Sequence, residues 1–133
     1  MMKIKLGQLE NNIKAINCLG EKKLPVQLSY TLSKNVKKLI EEYELMNDQR
    51  IKILEENCIR DKDNKPVFDD NNAYTYPDEA TKINMLEQLQ EFFNTETDVD
   101  IVAISYEMLE ACNSEKFDVL TLGEISALDF MIE

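Results

Sequence analysis

Residues 25–57 read PVQLSYTLSKNVKKLIEEYELMNDQRIKILEEN, and this stretch decides the fold. Its apolar residues recur at spacings of three and four, which is typical of one face of an α-helix. Pro25 suits a first helical turn, where its missing N–H breaks no hydrogen bond. The sequence therefore predicts a helix from Pro25 to Asn57, roughly 50 Å long. The apolar face comprises Leu28, Leu32, Val36, Leu39, Tyr43, Met46 and Ile53, and Arg50 interrupts it.

So long a helix cannot bury its apolar face alone, so a helix of the same chain or of a second subunit must lie along it. Within the chain, the segment from about Asp78 to Asn94 is the candidate. Asp78 and Glu79 suit a helix N-terminus. We expect this shorter helix to return along the long one as an antiparallel hairpin. Its apolar stripe is Ile83, Leu86, Leu89 and Phe93, with Met85 and Phe92 beside it.

The segment between the two helices is dense in turn-forming residues, as in Asp61-Lys62-Asp63-Asn64-Lys65-Pro66. We expect a small β-hairpin or an exposed loop at the tip of the helical hairpin. The Asp61 and Asp63 spacing invites comparison with a calcium-binding loop. That comparison fails, because Pro66 stands where such a loop needs glycine and Asn72 where it needs glutamate. The sequence analysis finds no internal repeat.

Two apolar segments outside the hairpin are typical of strands. Met2 to Leu6 alternates between apolar and polar residues, and Val99 to Ser105 is rich in Val and Ile. We expect them to pair in a small sheet. Short helices are expected over Gln8–Leu19, over Tyr106–Cys112 and after a capping box that begins at Thr121. The fold class is mainly α (α+β), in a single domain over residues 1–133.

Composition excludes several kinds of chemistry. The 133 residues include no histidine, which removes histidine acid–base catalysis, histidine metal sites and the Glu-x-x-His pattern of two-metal helical bundles. The glutamates of the long helix therefore indicate a solvated face. Cys18, Cys58 and Cys112 form no CxxC pair and are typical of free thiols in a reducing compartment. We expect no enzymatic activity, no cofactor and no metal.

The formal net charge of −11 disfavours direct contact with nucleic acid or anionic membranes. Two interpretations stay open: the charge gives solubility, or it mimics nucleic acid in the groove of a basic partner. No segment is typical of a signal peptide or of a membrane-spanning helix. We therefore expect the protein in the cytoplasm.

The candidate partner-contact residues are Arg50, Ile53, Phe68, Tyr74 and Tyr76. Arg50 either bends outward, its stem covering apolar surface, or marks where packing within the chain ends and a partner begins. The three aromatic residues form either a satellite core under the loop or an exposed contact surface. Because the long helix is longer than the helix that covers it, we expect uncovered apolar surface at its distal end. A protein partner, with a homo-oligomer as the first expectation, would cover that surface.

The order of these features resembles a group of small phage proteins. The chain opens Lys3-Ile4-Lys5-Leu6, enters the long helix through Leu24-Pro25-Val26-Gln27-Leu28, and closes on Thr121-Leu122-Gly123-Glu124-Ile125. It is similar to the DUF1617-like uncharacterised proteins of phages and prophages of Gram-positive bacteria. The resemblance implies a viral origin and an unassigned role in virion assembly or in handling the host. It carries no catalytic residues to this chain.

Two functions follow as hypotheses. The first is a non-enzymatic phage or prophage accessory or structural protein, acting by protein–protein contact or self-association in the bacterial cytoplasm or on the virion. The second is an acidic inhibitor of a host antiviral defence system, either anti-CRISPR-like or ligand-sequestering. A scattered distribution of acidic residues favours the first, and one continuous acidic face favours the second.

Overall fold

The computed structural model describes residues 1–132. Its helices are α1 (Leu9–Asn17), α2 (Val26–Asn57), α3 (Glu79–Phe93), α4 (Tyr106–Glu110) and α5 (Leu122–Ala127), and its strands are β1 (Met2–Lys5) and β2 (Glu96–Val99). Single 3₁₀ turns lie at Leu6–Gln8, Ala111–Asn113 and Asp129–Met131. The predicted fold class, mainly α with one small sheet, is confirmed.

The long helix α2 begins and ends where the sequence predicts. Pro25 precedes it with φ −52°, and Cys58 follows it in an extended conformation. Its 32 residues span roughly 48 Å at the ordinary helical rise. The buried side chains of α2 are Leu28, Thr31, Leu32, Asn35, Leu39 and Met46, so burial along the helix ends about one turn before Arg50.

One hydrophobic core surrounds the first two thirds of α2. Around the buried face of α2, the chain before this helix contributes β1, α1 and the residues next to them. The chain from Val99 onward contributes the other buried residues of this core. The structure describes all of residues 47–98, yet none of them belongs to the buried part of this core. The buried core residues are Ile4, Leu6, Leu9, Ile16, Leu19, Leu28, Leu32, Leu39, Met46, Val99, Ile101, Ile104, Leu109, Cys112, Leu120, Leu128 and Met131.

The small sheet is present, but its second strand is not the predicted one. β1 pairs antiparallel with β2, which is Glu96–Val99 rather than 99–105. In this register Lys3 stands opposite Asp98, and Lys5 stands opposite Glu96. Opposite charges directly across a ladder favour this pairing, and the same register places Ile4 and Val99 in the core. Apolar content alone favoured residues 99–105 as the strand.

The segment after Val99 cannot extend the strand, because its backbone is bonded elsewhere. The N–H of Ile101 donates to the carbonyl of Val99 at 2.9 Å, which bends the chain. The fully buried Asn35 then holds both backbone groups of Val102: its Oδ1 accepts from the N–H at 2.8 Å, and its Nδ2 donates to the carbonyl at 2.9 Å. Further on, Ile104 forms a parallel bridge with Ile132.

Helix α3 returns antiparallel along the end of α2. Asn57 Nδ2 of α2 donates to Gln88 Oε1 of α3 at 3.1 Å, and Arg50 lines a cavity together with Phe93. A Cβ on Gly7 would lie 3.1 Å from the Cβ of Phe93, so glycine allows the close approach of α3 to the core. Asp78 caps α3 by accepting from the Thr81 N–H at 2.7 Å. The predicted helical hairpin is therefore confirmed.

The predicted apolar stripe of α3 requires a correction. Met85 is the buried side chain of this helix, and Leu89 and Phe92 are half-buried. These positions are four and three residues apart and lie on one face. Ile83 and Leu86, which the sequence analysis places inward, are about half exposed. Helix α3 carries more apolar residues than the one stripe that α2 covers.

The C-terminal part docks on the loop between α1 and α2. The predicted capping box is confirmed: Thr121 Oγ1 accepts from the Glu124 N–H, and the Thr121 N–H donates to Glu124 Oε1. Lys22 forms an ion pair with Glu124 at 2.7 Å and donates to the carbonyl of Val119. The Lys22 ammonium and the Thr121 N–H hold the pKa of Glu124 below its ordinary value.

Candidate functional site

The candidate site is the part of the hairpin that extends past the core, and we call residues 47–91 the distal lobe. Within this fully described stretch, Met85 is the one apolar residue that is buried. Phe68, Ile83 and Leu86 expose 50, 49 and 50 % of their surface. The distal lobe therefore has half-exposed apolar side chains without a buried core of its own.

The tip of the lobe begins with a tight turn that is held by the side chain of Asp61. The Asp61 N–H donates to the carbonyl of Lys65, and the Asn64 N–H donates to the carbonyl of Asp61, each at 2.9 Å. Asp61 Oδ1 accepts from the N–H groups of Asp63 and Lys65. Asn64 has φ 61°, a left-handed conformation that asparagine tolerates. The Asp61 carboxylate therefore organises its own loop.

Eight residues later the chain makes the same turn again. Asp69 Oδ1 accepts from the N–H groups of Asn71 and Ala73, and Asn72 has φ 61°. The Asn72 N–H donates to the carbonyl of Asp69 at 3.0 Å. Both turns follow the pattern Asp-x-x-Asn-x, a local repeat that the sequence analysis missed. Three short extended segments joined by two turns therefore replace the single hairpin or loop that was expected, and we call residues 59–75 the double turn.

The double turn is tied together and to the end of α2 by backbone bonds. The Ile59 N–H donates to the carbonyl of Thr75 at 2.7 Å, and the Val67 N–H donates to the carbonyl of Ile59 at 2.9 Å. Arg60 donates from its guanidinium to the carbonyls of Asn64 and Glu55. The tip is thus an ordered platform.

The aromatic candidates meet on this platform. The rings of Phe68 and Tyr74 lie 4.9 Å apart between centroids and are tilted by 50°, a favourable geometry for an aromatic pair. The Tyr74 hydroxyl donates to Glu55 Oε1 at 3.3 Å, which joins the pair to α2. Burial, and then the Glu55 carboxylate, raise the pKa of Tyr74, and burial raises the pKa of Tyr76. Tyr74 and Tyr76 are half-buried, whereas Phe68 stands half in solvent.

Arg50 lies at the junction between the core and the distal lobe. Its Nε and Nη2 both donate to Asn47 Oδ1, at 3.0 and 2.8 Å. It lines a cavity of about 370 Å³ with Met46 and Phe93. Ile53, one turn further, is half-buried and uses its carbonyl to accept from Asn57 Nδ2 at 2.7 Å. The stripe of α2 thus passes from buried to half-buried at Arg50.

The structure brings together some of the predicted contact residues and adds others. Phe68 and Tyr74 touch, whereas Arg50 lies with Met46 and Phe93 at the junction. Ile83 and Leu86 on α3 were missed as surface residues. They are three residues apart and share one face of α3. The sequence indicates such a surface, because α3 contains more apolar residues than one buried stripe accounts for.

A second set of exposed apolar residues lies outside the distal lobe. It was also missed by the sequence analysis. These residues lie at the start of α2 and in the C-terminal part, and exposed apolar residues of this kind are common on folded proteins. They are Val26, Tyr30, Tyr106, Val119 and Leu122. They provide matched positions for testing the distal lobe.

The charges of the chain are unevenly divided. Residues 1–38 contain eight lysines and two acidic residues, so their net charge is +6. Residues 39–133 contain seven basic and 24 acidic residues, so theirs is −17. The distal lobe lies within the acidic part, whereas β1, α1 and the start of α2 form the basic part.

The described residues also bear on metal binding and on membrane insertion. Among residues 1–132, no three His, Cys, Asp or Glu side chains cluster in a way that could hold a metal ion. In the same part of the chain, no helix combines the length and the hydropathy needed to cross a membrane. Cys112 is buried, and this burial raises the pKa of its thiol.

Comparison with known proteins gives no relative: no family model, no curated protein and no solved structure matches the chain.

Proposed function

We propose that the protein is a non-enzymatic accessory or structural protein of a phage or prophage. It acts by binding another protein, or a second copy of itself, through the distal lobe. It does so in the cytoplasm of a bacterial host or on the virion. The observation that carries the proposal is the contrast between the buried core at one end of α2 and the uncovered apolar surface of the other end.

The distal lobe has the composition of a contact surface. Aromatic residues are enriched at the centres of protein interfaces, and Phe68 with Tyr74 supplies such a pair on a rigid support. The backbone bonds of the double turn fix this support before a partner arrives. A surface that is already ordered loses less conformational entropy on binding than a mobile loop.

The chemistry of the chain supports a role without catalysis. No histidine is available as a general acid or base, and three scattered glycines supply no phosphate-binding loop. The buried Cys112, with its raised pKa, has little of the thiolate that a nucleophile requires. The viral origin rests on the resemblance to DUF1617-like proteins.

A second candidate is supported by the charge division. The acidic part of the chain has a net charge of −17, of which the distal lobe, with 11 acidic and six basic residues, supplies −5. This acidic part could enter a groove that a host defence protein uses for nucleic acid. In that case the partner would be basic and binding would weaken steeply with salt. An interface carried by Phe68, Ile83 and Leu86 would depend little on salt.

The test is sedimentation velocity of the full chain over a wide concentration range, together with affinity capture from the bacterial host. We expect self-association or capture of virion proteins, and we expect Phe68→Ser with Leu86→Ser to abolish it. Leu45→Ser is the matched control, because Leu45 is 63 % exposed on the outer face of α2. Recovery of a nuclease or defence complex would favour the acidic inhibitor. A protein that stays monomeric and captures nothing would contradict both candidates.

A further inference from the structure

The strand β1 has a free edge that faces a groove. β1 pairs with β2 on one side, and the Leu6 N–H continues this ladder by donating to the carbonyl of Thr95 at 2.9 Å. In an antiparallel ladder, alternate residues direct both backbone groups toward the partner strand. Since Leu6 does so, Ile4 also points to β2. Lys3 and Lys5 then direct their N–H and carbonyl groups away from β2.

A groove of about 540 Å³ lies along β1. β1 contributes Met2, Lys3 and Ile4 to its lining, whereas no residue of β2 is part of it. The opposite wall consists of Ser126 and Ala127 of α5 and of Asp129 and Phe130 of the turn that follows. Between these walls lie three amide side chains, those of Gln8, Asn11 and Asn12. Amide side chains can donate to and accept from an extended backbone.

The charges around this edge select what it can accept. A second copy of β1 would place lysine against lysine, which is unfavourable across a ladder. Lysine on a short edge strand is a common protection against such self-pairing. An acidic strand would instead place carboxylates opposite these lysines, which is favourable across a ladder. The molecule contains an example, because β2 places Asp98 opposite Lys3 and Glu96 opposite Lys5. The net charge of +6 over residues 1–38 also favours an acidic segment.

We propose that the free edge of β1 binds an extended acidic segment of a partner protein. That segment adds a third strand, antiparallel to β1, with acidic side chains two residues apart opposite Lys3 and Lys5. Strand addition of this kind takes its affinity from backbone hydrogen bonds and its selectivity from alternate side chains. The edge belongs to the core end of the molecule, so this inference does not depend on the distal lobe.

The probe is a blocked peptide with the sequence of residues 94–101, NTETDVDI, which includes β2. It is titrated into the ¹⁵N-labelled full chain and followed by NMR. We expect shifts at the amides of Lys3 and Lys5 and at the side-chain amides of Gln8, Asn11 and Asn12. A peptide carrying Glu96→Lys and Asp98→Lys should give none of these shifts.

Two variants of Lys5 separate the backbone from the charge. Lys5 has φ −69°, which proline adopts without strain, and its N–H points away from β2. Lys5→Pro therefore removes one edge donor and leaves the β2 ladder intact, whereas Lys5→Thr removes the charge and keeps the donor. We expect Lys5→Pro to bind the peptide about three- to tenfold more weakly than Lys5→Thr, because one hydrogen bond is lost.

Several results would overturn the proposal. One is the absence of shifts at Lys3 and Lys5 in a large excess of peptide. A second is equal binding of the charge-reversed peptide. A third is loss of amide protection at Ile4 and Leu6, which would mean that the peptide displaces β2. All three are measured on the wild-type chain, so they hold even if Lys5→Pro fails to fold.

Discussion

Asn35 is the residue that fixes the C-terminal third of the chain to α2. It is completely buried, and its amide bonds both backbone groups of Val102 and also approaches Met131 Sδ at 3.2 Å. Periodicity did not identify it, because a buried asparagine on an apolar helix face looks like one more polar residue. Its role depends on a segment that is distant in sequence.

Asn35→Ala should destabilise the protein by about 2–4 kcal/mol, because it removes both hydrogen bonds to the backbone of Val102 and leaves a cavity at a fully buried position. The measurement is urea denaturation at neutral pH. Asn47→Ala is the control, since Asn47 is half-buried and bonds Arg50 of its own helix. The control should change stability by less than about 1 kcal/mol. Equal effects of the two substitutions would show that Asn35 is not a structural anchor.

The ion pair between Lys22 and Glu124 should make the C-terminal part acid-sensitive. The pKa of Glu124 is held below its ordinary value of 4.5, so the folded state favours the carboxylate. The carboxylate of Glu124 therefore stabilises the folded state above about pH 4.5, and this stabilisation is lost as the pH falls through the lowered pKa. Thermal unfolding of the wild type and Glu124→Gln should differ at pH 7 and converge below pH 4. A difference in unfolding temperature that stays constant with pH would contradict the predicted acid sensitivity.

At the scale of elements, the long helix, the helical hairpin and the capping box could be predicted, because each depends on local spacing. The choice of β2 over residues 99–105 could not, because it depends on pairing with β1 and on the distant Asn35. The sequence could not decide which face of α3 packs inward, because this helix carries two apolar stripes. Among the contact residues, Phe68 could be found from its position in the turn region, whereas Ile83 and Leu86 were missed although the excess of apolar residues in α3 indicated an outward stripe.

The two turns of the double turn should respond alike to substitution. Asn64→Ala and Asn72→Ala each place alanine at φ 61°, a left-handed conformation that asparagine tolerates better, at a cost of about 1 kcal/mol. The amides of Lys65 and Ala73 should then exchange with solvent about fivefold faster. Asn71→Ala is the control for the second turn, because its backbone does not require a positive φ. Unchanged exchange in both variants would mean that asparagine is not needed there.

At the scale of the whole molecule, the chain consists of a well-packed end and a distal lobe without its own buried core. Amide hydrogen exchange should follow this division within a single helix. Amides of α2 before Met46 should be strongly protected, and those after Arg50 should exchange through local opening. The comparison is internal to α2, so the solution conditions are identical. Uniform protection along α2 would contradict the division.

The same division supports a protein partner on the distal lobe, and the measurement that tests this most directly is site-specific photo-crosslinking. Benzoylphenylalanine is placed at Phe68 in one variant and at Val26 in another, and both are irradiated in the proposed bacterial host. Val26 is the control because it is 84 % exposed at the core end and does not line the groove beside β1. We predict a discrete adduct, to a second copy or to one other protein, from position 68 and none from position 26. No adduct from position 68, or the same adduct from both positions, would contradict the account.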